Sequence, residues 1–219
     1  MKFAMHELVK EFQEDTGIES EIIVGSSGKL TAQIKEGAPY DLFVSADMKF
    51  PNTLFENSLT IGEPQVYAYG SLVIWTLNTQ LNADFESFKK KQVNHIALAN
   101  PKTAPYGRAA TEVLKNKNLL EPLRSKFVYG ESVAQTNQFI ISYAAEIGFT
   151  AKSIVLSPNM KGKGNWKDVD PNLYTPIKQG VVILKNRDVH LEGAEKFQQF
   201  LFSDKGKEIL NKFGYLTEK

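Results

Sequence analysis

The chain has 219 residues, 42% apolar and 23% charged, enough apolar material for a packed interior and too much for a disordered chain. Twenty-six basic residues stand against 25 acidic ones, so a net charge of +1 provides no global field for nucleic acid or an anionic membrane. There is no cysteine, which excludes disulfides, thiolate metal sites and cysteine nucleophiles, and no apolar run of about 18 residues that would span a membrane.

Met5, Leu8, Val9 and Phe12 recur at helical spacing and predict an opening amphipathic helix that stops at Gly17. Ile18 to Val24 reads as a strand, Gly25-Ser26-Ser27-Gly28 as a turn, and Leu30, Ile34 and Ala38 as the face of a second helix ended by Pro39. Leu42 to Ala46 is a short apolar run between Asp41 and Asp47, read as a buried strand in a parallel βαβ winding. Leu72 to Leu77 is the next strand, and near Asn78 the chain is expected to leave its first lobe.

A similar order then repeats. His95 to Ala99 reads as a strand, Asn100 to Gly107 as a loop and Arg108 to Lys115 as a helix. Phe127 to Tyr129 is a strand, Gly130-Glu131-Ser132 a small-residue loop and Val133 to Glu146 a helix. Asn159 to Lys167 reads as an exposed loop, Gln179 to Leu184 as a strand, and two helices carrying Ala194, Phe197, Phe200 and Leu201, then Ile209, Leu210 and Phe213, close the chain. With a return near Pro176, the expected division is residues 1 to 77 plus 181 to 219 in one lobe and 78 to 180 in the other, two crossings forming a hinge.

Three loops precede helices: 25 to 28, Pro101 to Gly107, and Gly130 to Val133. A helix start leaves its first N–H groups without intrahelical partners and carries partial positive charge, so it receives an oxyanion without a basic side chain. Any one of these loops is more often a turn and cap than a ligand site; the set of three raises the odds. Ser27 is the strongest residue of the first loop, its hydroxyl serving either as a helix cap or as a donor to a guest. Tyr106 reads as a packing aromatic or a hydroxyl donor, and Lys102 and Arg108 as direct contacts or as solvated charges that aid encounter.

Competing chemistries fail on spacing. Gly28-Lys29 looks like the end of a phosphate-binding P-loop, but Ile23 stands at its first glycine and Leu30 at its magnesium-binding hydroxyl. A serine-hydrolase elbow around Ser27 needs glycine where Lys29 stands. His6, His95 and His190 are isolated, which leaves no histidine pair for a metal cation. No nucleophile or acid–base pair converges, so no enzyme is expected.

Five blocks together resemble the periplasmic molybdate-binding proteins of ABC transporters, within the type II periplasmic-binding-protein family. They are Gly25 to Leu30, Gly37 to Asp47, Asn100-Pro101 to Gly107, Gly130 to Val133, and Glu146 to Thr150. The resemblance runs nearly end to end. It implies an α/β fold of two lobes with a hinge and an interlobe cleft, and a ligand, molybdate or tungstate, rather than a cofactor. The partner it implies is a membrane permease, and the location is the periplasm of a monomeric protein that spans no membrane. It places ligand donors at Ser27 and at the backbone N–H groups of Tyr106 and Val133, with Ser26, Gly107 and Ser132 as secondary positions and no directly coordinated metal cation. The family's further tyrosine falls on Ala151, where that contact is absent. The chain begins at about the family's first helix, so the secretory signal, the first strand and the donors that follow that strand are expected to lie outside it. Donors alone suit a fully deprotonated dianion. The alternatives are sulfate or another tetrahedral oxyanion as ligand, or an anion-sensing domain outside transport.

Overall fold

In the computed structural model of the protein, residues 2–185 and 190–217 are described. The chain forms two compact units, residues 1–69 with 178–219, and residues 70–177.

The first unit opens on α1 (Lys2–Thr16), which ends where Gly17 takes φ +70° and donates to the Gln13 carbonyl, the predicted glycine stop. Then come α2 (Ser27–Lys35), β1 (Leu42–Ser45), α3 (Lys49–Glu56) and β2 (Thr60–Gly70). Gly37, at φ +88°, ends α2 before Pro39 is reached. Neither α3 nor β2 was visible in the sequence. Pro51 falls in the first turn of α3, where a missing N–H is tolerated, and Gly62-Glu63-Pro64 interrupt the alternation of an exposed stretch of β2.

The predicted strand over Ile18 to Val24 does not form. The segment has strand composition but no ladder, and Ile23 and Val24 are 46% and 60% exposed. Ile18 to Val24 instead line a groove of about 1120 Å³ together with Leu42 and Val44 of β1. Strand propensity is fit to a pleated, paired surface, and without a pairing partner the apolar residues alone do not make a strand.

The second unit contains β3 (Leu72–Thr76), α4 (Phe85–Phe88), β4 (Ile96–Ala99), α5 (Pro105–Asn116), β5 (Phe127–Gly130), α6 (Val133–Ile141), β6 (Ile147–Ala151), α7 (Lys152–Val155) and β7 (Asn165–Asp168). Its sheet runs β5-β4-β6-β3-β7, with β4 parallel to β5 and β6, and β3 antiparallel to β6 and β7. Side chains alternate across β3: Leu72 and Ile74 enter one apolar cluster with Phe88, Val113 and Phe149, while Val73 and Trp75 enter another with Ile140 and Val155. The first crossing was expected near Asn78. It falls at Tyr69/Gly70, because β3 lies between β6 and β7 and belongs to the second sheet. The helix predicted to reach Glu146 ends at Ile141, where Tyr143 turns to φ +59°. Part of the predicted 159–167 loop is strand β7.

The chain returns to the first unit through β8 (Ile177–Leu184), followed by α8 (Leu191–Phe202), α9 (Asp204–Lys212) and β9 (Tyr215–Leu216). The sheet order is β1-β8-β2-β9. β1 meets β8 antiparallel, Leu42 opposite Ile183 and Ser45 opposite Gly180, so the parallel winding expected around β1 is not its pairing with β8. Adjacent residues of β8 face opposite sides: Val181 packs with Leu8, Phe12, Phe197 and Leu210, and Val182 with Ile34, Phe43 and Leu54. Helices α1, α8 and α9 thus cover one face of this sheet and α2 and α3 the other, the α/β layering expected from the sequence.

Candidate functional site

In the first unit the two serines of the 25 to 28 turn have separate tasks. Ser26 is the N-cap of α2, in extended conformation, and its Oγ accepts from the Lys29 amide at 3.3 Å while its carbonyl accepts from Leu30 at 3.0 Å. Ser27 is therefore not the cap. It is the first helical residue, half-buried, and its Oγ accepts a 3.1 Å hydrogen bond from the Ser45 hydroxyl at the end of β1. No acceptor is recorded among the described residues for the hydrogen of Ser27 Oγ, nor for the amides of Ser27 and Gly28, which lie in the electropositive first turn of a nine-residue helix.

In the second unit the two remaining loops are brought together. β4 and β5 are parallel neighbours, so the starts of α5 and α6 emerge at the same carboxyl edge of the sheet, where ligands of open α/β sheets bind. The loops are tied directly: the Asn100 amide donates to the Gly130 carbonyl at 2.7 Å, and the Thr103 hydroxyl to the Glu131 carbonyl at 3.0 Å.

Helix α5 begins earlier than the sequence suggested, with Pro105 as its first residue and Tyr106 and Gly107 inside its first turn. No side chain caps it; Ala104 is the N-cap, and its carbonyl accepts from Gly107 and Arg108. The Tyr106 ring lies within the larger apolar cluster and is 8% exposed, which favours its packing role; what Tyr106 sets in the helix's first turn is its backbone. Gly107 is required by close approach rather than by φ, since a Cβ there would meet the Ala99 carbonyl oxygen at 2.2 Å. Lys102 and Arg108 are exposed.

Helix α6 begins at Val133 with Ser132 as its cap, Ser132 Oγ accepting from Gln135 at 3.2 Å and the Gln135 side chain returning to the Glu131 amide at 2.8 Å. The Val133 and Ala134 amides have no recorded partner among the described residues. Gly130 permits the tight passage from β5 into α6, because a Cβ there would come within 2.6 Å of the Thr136 amide nitrogen. Ala151, where the resemblance places the family's further tyrosine, is 5% exposed and packed in the core.

Two of the secondary positions, Ser26 and Ser132, thus have their side-chain oxygens committed to helix caps. Ser45 was missed. The available signal was a lone hydroxyl closing the apolar run Leu42-Phe43-Val44, a polar group that a buried strand end must satisfy.

A family model for the bacterial extracellular solute-binding proteins matches residues 1–216. The chain is 36% identical over 208 residues to the molybdate-binding protein ModA of Rhodobacter capsulatus, spanning 94% of this chain and 81% of that protein. It is also 36% identical over 214 residues to ModA of Azotobacter vinelandii, spanning 96% and 84%. Among solved structures, the periplasmic molybdate-binding protein of Azotobacter vinelandii superimposes with a TM-score of 0.83 at 33% identity, covering 99% of this chain and 95% of that one. The sulfate-binding protein SubI of Mycobacterium tuberculosis shares the fold with a TM-score of 0.74 at 12% identity. With the family model matching nearly the whole chain, and relatives this similar along it, the two-unit α/β protein belongs to the bacterial extracellular solute-binding proteins.

Proposed function

We propose that this protein binds molybdate or tungstate and delivers it to the permease of an ABC transporter, acting outside the cytoplasm as a monomer and without catalysing a reaction. What supports this reading is the chemistry of the donor set. On the family resemblance we assign to the oxyanion Ser27, at the start of α2 in the first unit, and the first-turn amides of Tyr106 in α5 and Val133 in α6 in the second. Each assigned group offers hydrogen, and none is a carboxylate. Such a set suits a dianion without protons, whereas a protonated phosphate needs an acceptor for its own hydrogen. The positive ends of the helix dipoles supply the electrostatic complement, so a chain of net charge +1 needs no basic side chain among its assigned donors.

The proteins named above that share about a third of the sequence are molybdate-binding proteins, which supports molybdate over sulfate as the ligand. Isothermal titration with molybdate, tungstate, sulfate and phosphate tests the reading. Saturable heats with molybdate and tungstate, and weak or no heats with sulfate and phosphate, are the expected result. Sulfate binding as tightly as molybdate would transfer the protein to a different ligand class, and no binding of any of the four would defeat the oxyanion reading.

A further inference from the structure

We propose that Ser45 is a positioning residue for the oxyanion site: its buried hydroxyl holds the Ser27 oxygen as an acceptor on the protein side, so that the Ser27 hydrogen is presented to the ligand. The proposal rests on the assignment of Ser27 as a ligand donor. Ser45 closes β1 and is fully buried, at 0% exposure. Its Oγ accepts from the Asp47 amide at 3.3 Å and stands 3.1 Å from Ser27 Oγ.

A serine hydroxyl has one hydrogen to give and two lone pairs to receive. Were the bond reversed, with Ser27 donating to Ser45, the single hydrogen of Ser45 would be left in the interior with no acceptor recorded among the described residues. That arrangement carries the desolvation cost of an unsatisfied buried donor. The favoured direction therefore runs from the Asp47 amide to Ser45 and from Ser45 to Ser27. Ser26 already caps α2, so the helix does not claim the Ser27 hydrogen. A hydroxyl that accepts on one side is polarised into a better donor on the other.

The test is a double-mutant cycle read by molybdate titration of the full chain, with melting temperatures recorded alongside. Ser45→Ala should weaken molybdate binding about three- to tenfold, the scale of one hydrogen bond. In a Ser27→Ala background the same change should have no further effect, because its route to the ligand is gone. Ser45→Cys, close in size and a weak donor, should also bind molybdate less tightly than the wild type, which guards against a packing defect in the alanine variant. Wild-type affinity in Ser45→Cys, or a Ser45→Ala loss that repeats in full without the Ser27 hydroxyl, would overturn the positioning role. If the unmodified protein binds neither molybdate nor tungstate, the ligand assignment itself fails and the relay fails with it. A normal wild type with an unaffected Ser45→Ala defeats only the relay.

Discussion

The Lys29 amide donates to the Ser26 hydroxyl over 3.3 Å, and that bond separates two adjacent serines that composition cannot tell apart. Ser26 holds the end of α2, while Ser27 turns its oxygen to Ser45. Ser26→Ala is expected to lower stability by about 1 kcal/mol, the usual cost of losing an N-cap. Ser27→Ala is expected to weaken molybdate binding by about 1 to 3 kcal/mol, as for a lost donor to a charge. Thermal melts and titrations of both variants decide this. A larger affinity loss in Ser26→Ala than in Ser27→Ala would exchange their roles.

Gly107 sits where α5 passes against the end of β4, with a hypothetical Cβ 2.2 Å from the Ala99 carbonyl oxygen. Backbone must move to admit any side chain there. Gly107→Ala should destabilise the protein by about 1 to 3 kcal/mol, as overpacking does. The displaced α5 start should also weaken molybdate binding. Denaturant melts and titration measure the two effects, and a variant with wild-type values for both would show that the start of α5 shifts without cost to stability or binding.

The Thr150 hydroxyl donates to the Asn137 side-chain oxygen, joining β6 to α6 in the interior, with both residues 5% exposed or less. Removing one partner strands the other. Thr150→Val and Asn137→Leu are each expected to cost about 1 to 3 kcal/mol in chemical denaturation, and the double variant less than the sum of the two. Strictly additive losses would mean that the pair does not act as a unit.

Tyr174 accepts the Leu72 amide at 3.1 Å, and burial raises its phenol above the ordinary value of 10.0, with the backbone hydrogen bond opposing the shift. An acid whose folded pKa is raised contributes stability that is complete below the unfolded value and is lost as pH climbs through the folded one. The stability difference between the wild type and Tyr174→Phe should therefore be constant up to about pH 10 and shrink at higher pH. Below that range the phenylalanine variant should be less stable by about 1 to 2 kcal/mol, from the Leu72 amide left without its acceptor. Denaturation curves across the alkaline range read both. A difference that stays constant above pH 10 would mean that Tyr174 ionises as easily folded as unfolded.

Much of the architecture was legible because local pattern and local chemistry agreed. Helical spacing and a glycine stop marked α1, and short apolar runs marked β1, β3, β4 and β8. Small-residue loops before helices located the starts of α2 and α6, since the orphan amides of a helix start impose those residue types whatever the surrounding fold, while α5 begins at Pro105, inside the expected loop. What misled was pattern without a partner. Ile18 to Val24 has the residues of a strand and no strand to pair with, and Leu72 to Leu77 was placed in the wrong unit because nothing in five apolar residues states which sheet receives them.

By itself, then, the sequence determined two α/β units, the helix starts that follow the 25 to 28 and 130 to 132 loops, and the family through its motifs, all of which depend on contacts within a few residues along the chain. Tertiary structure alone decided that Ser26 caps while Ser27 does not, that the α5 and α6 loops are bonded to each other, and that Ser45 lies behind Ser27. Each of these is a hydrogen bond whose direction depends on which groups remain unsatisfied once the chain has folded, and residue order does not encode that balance locally.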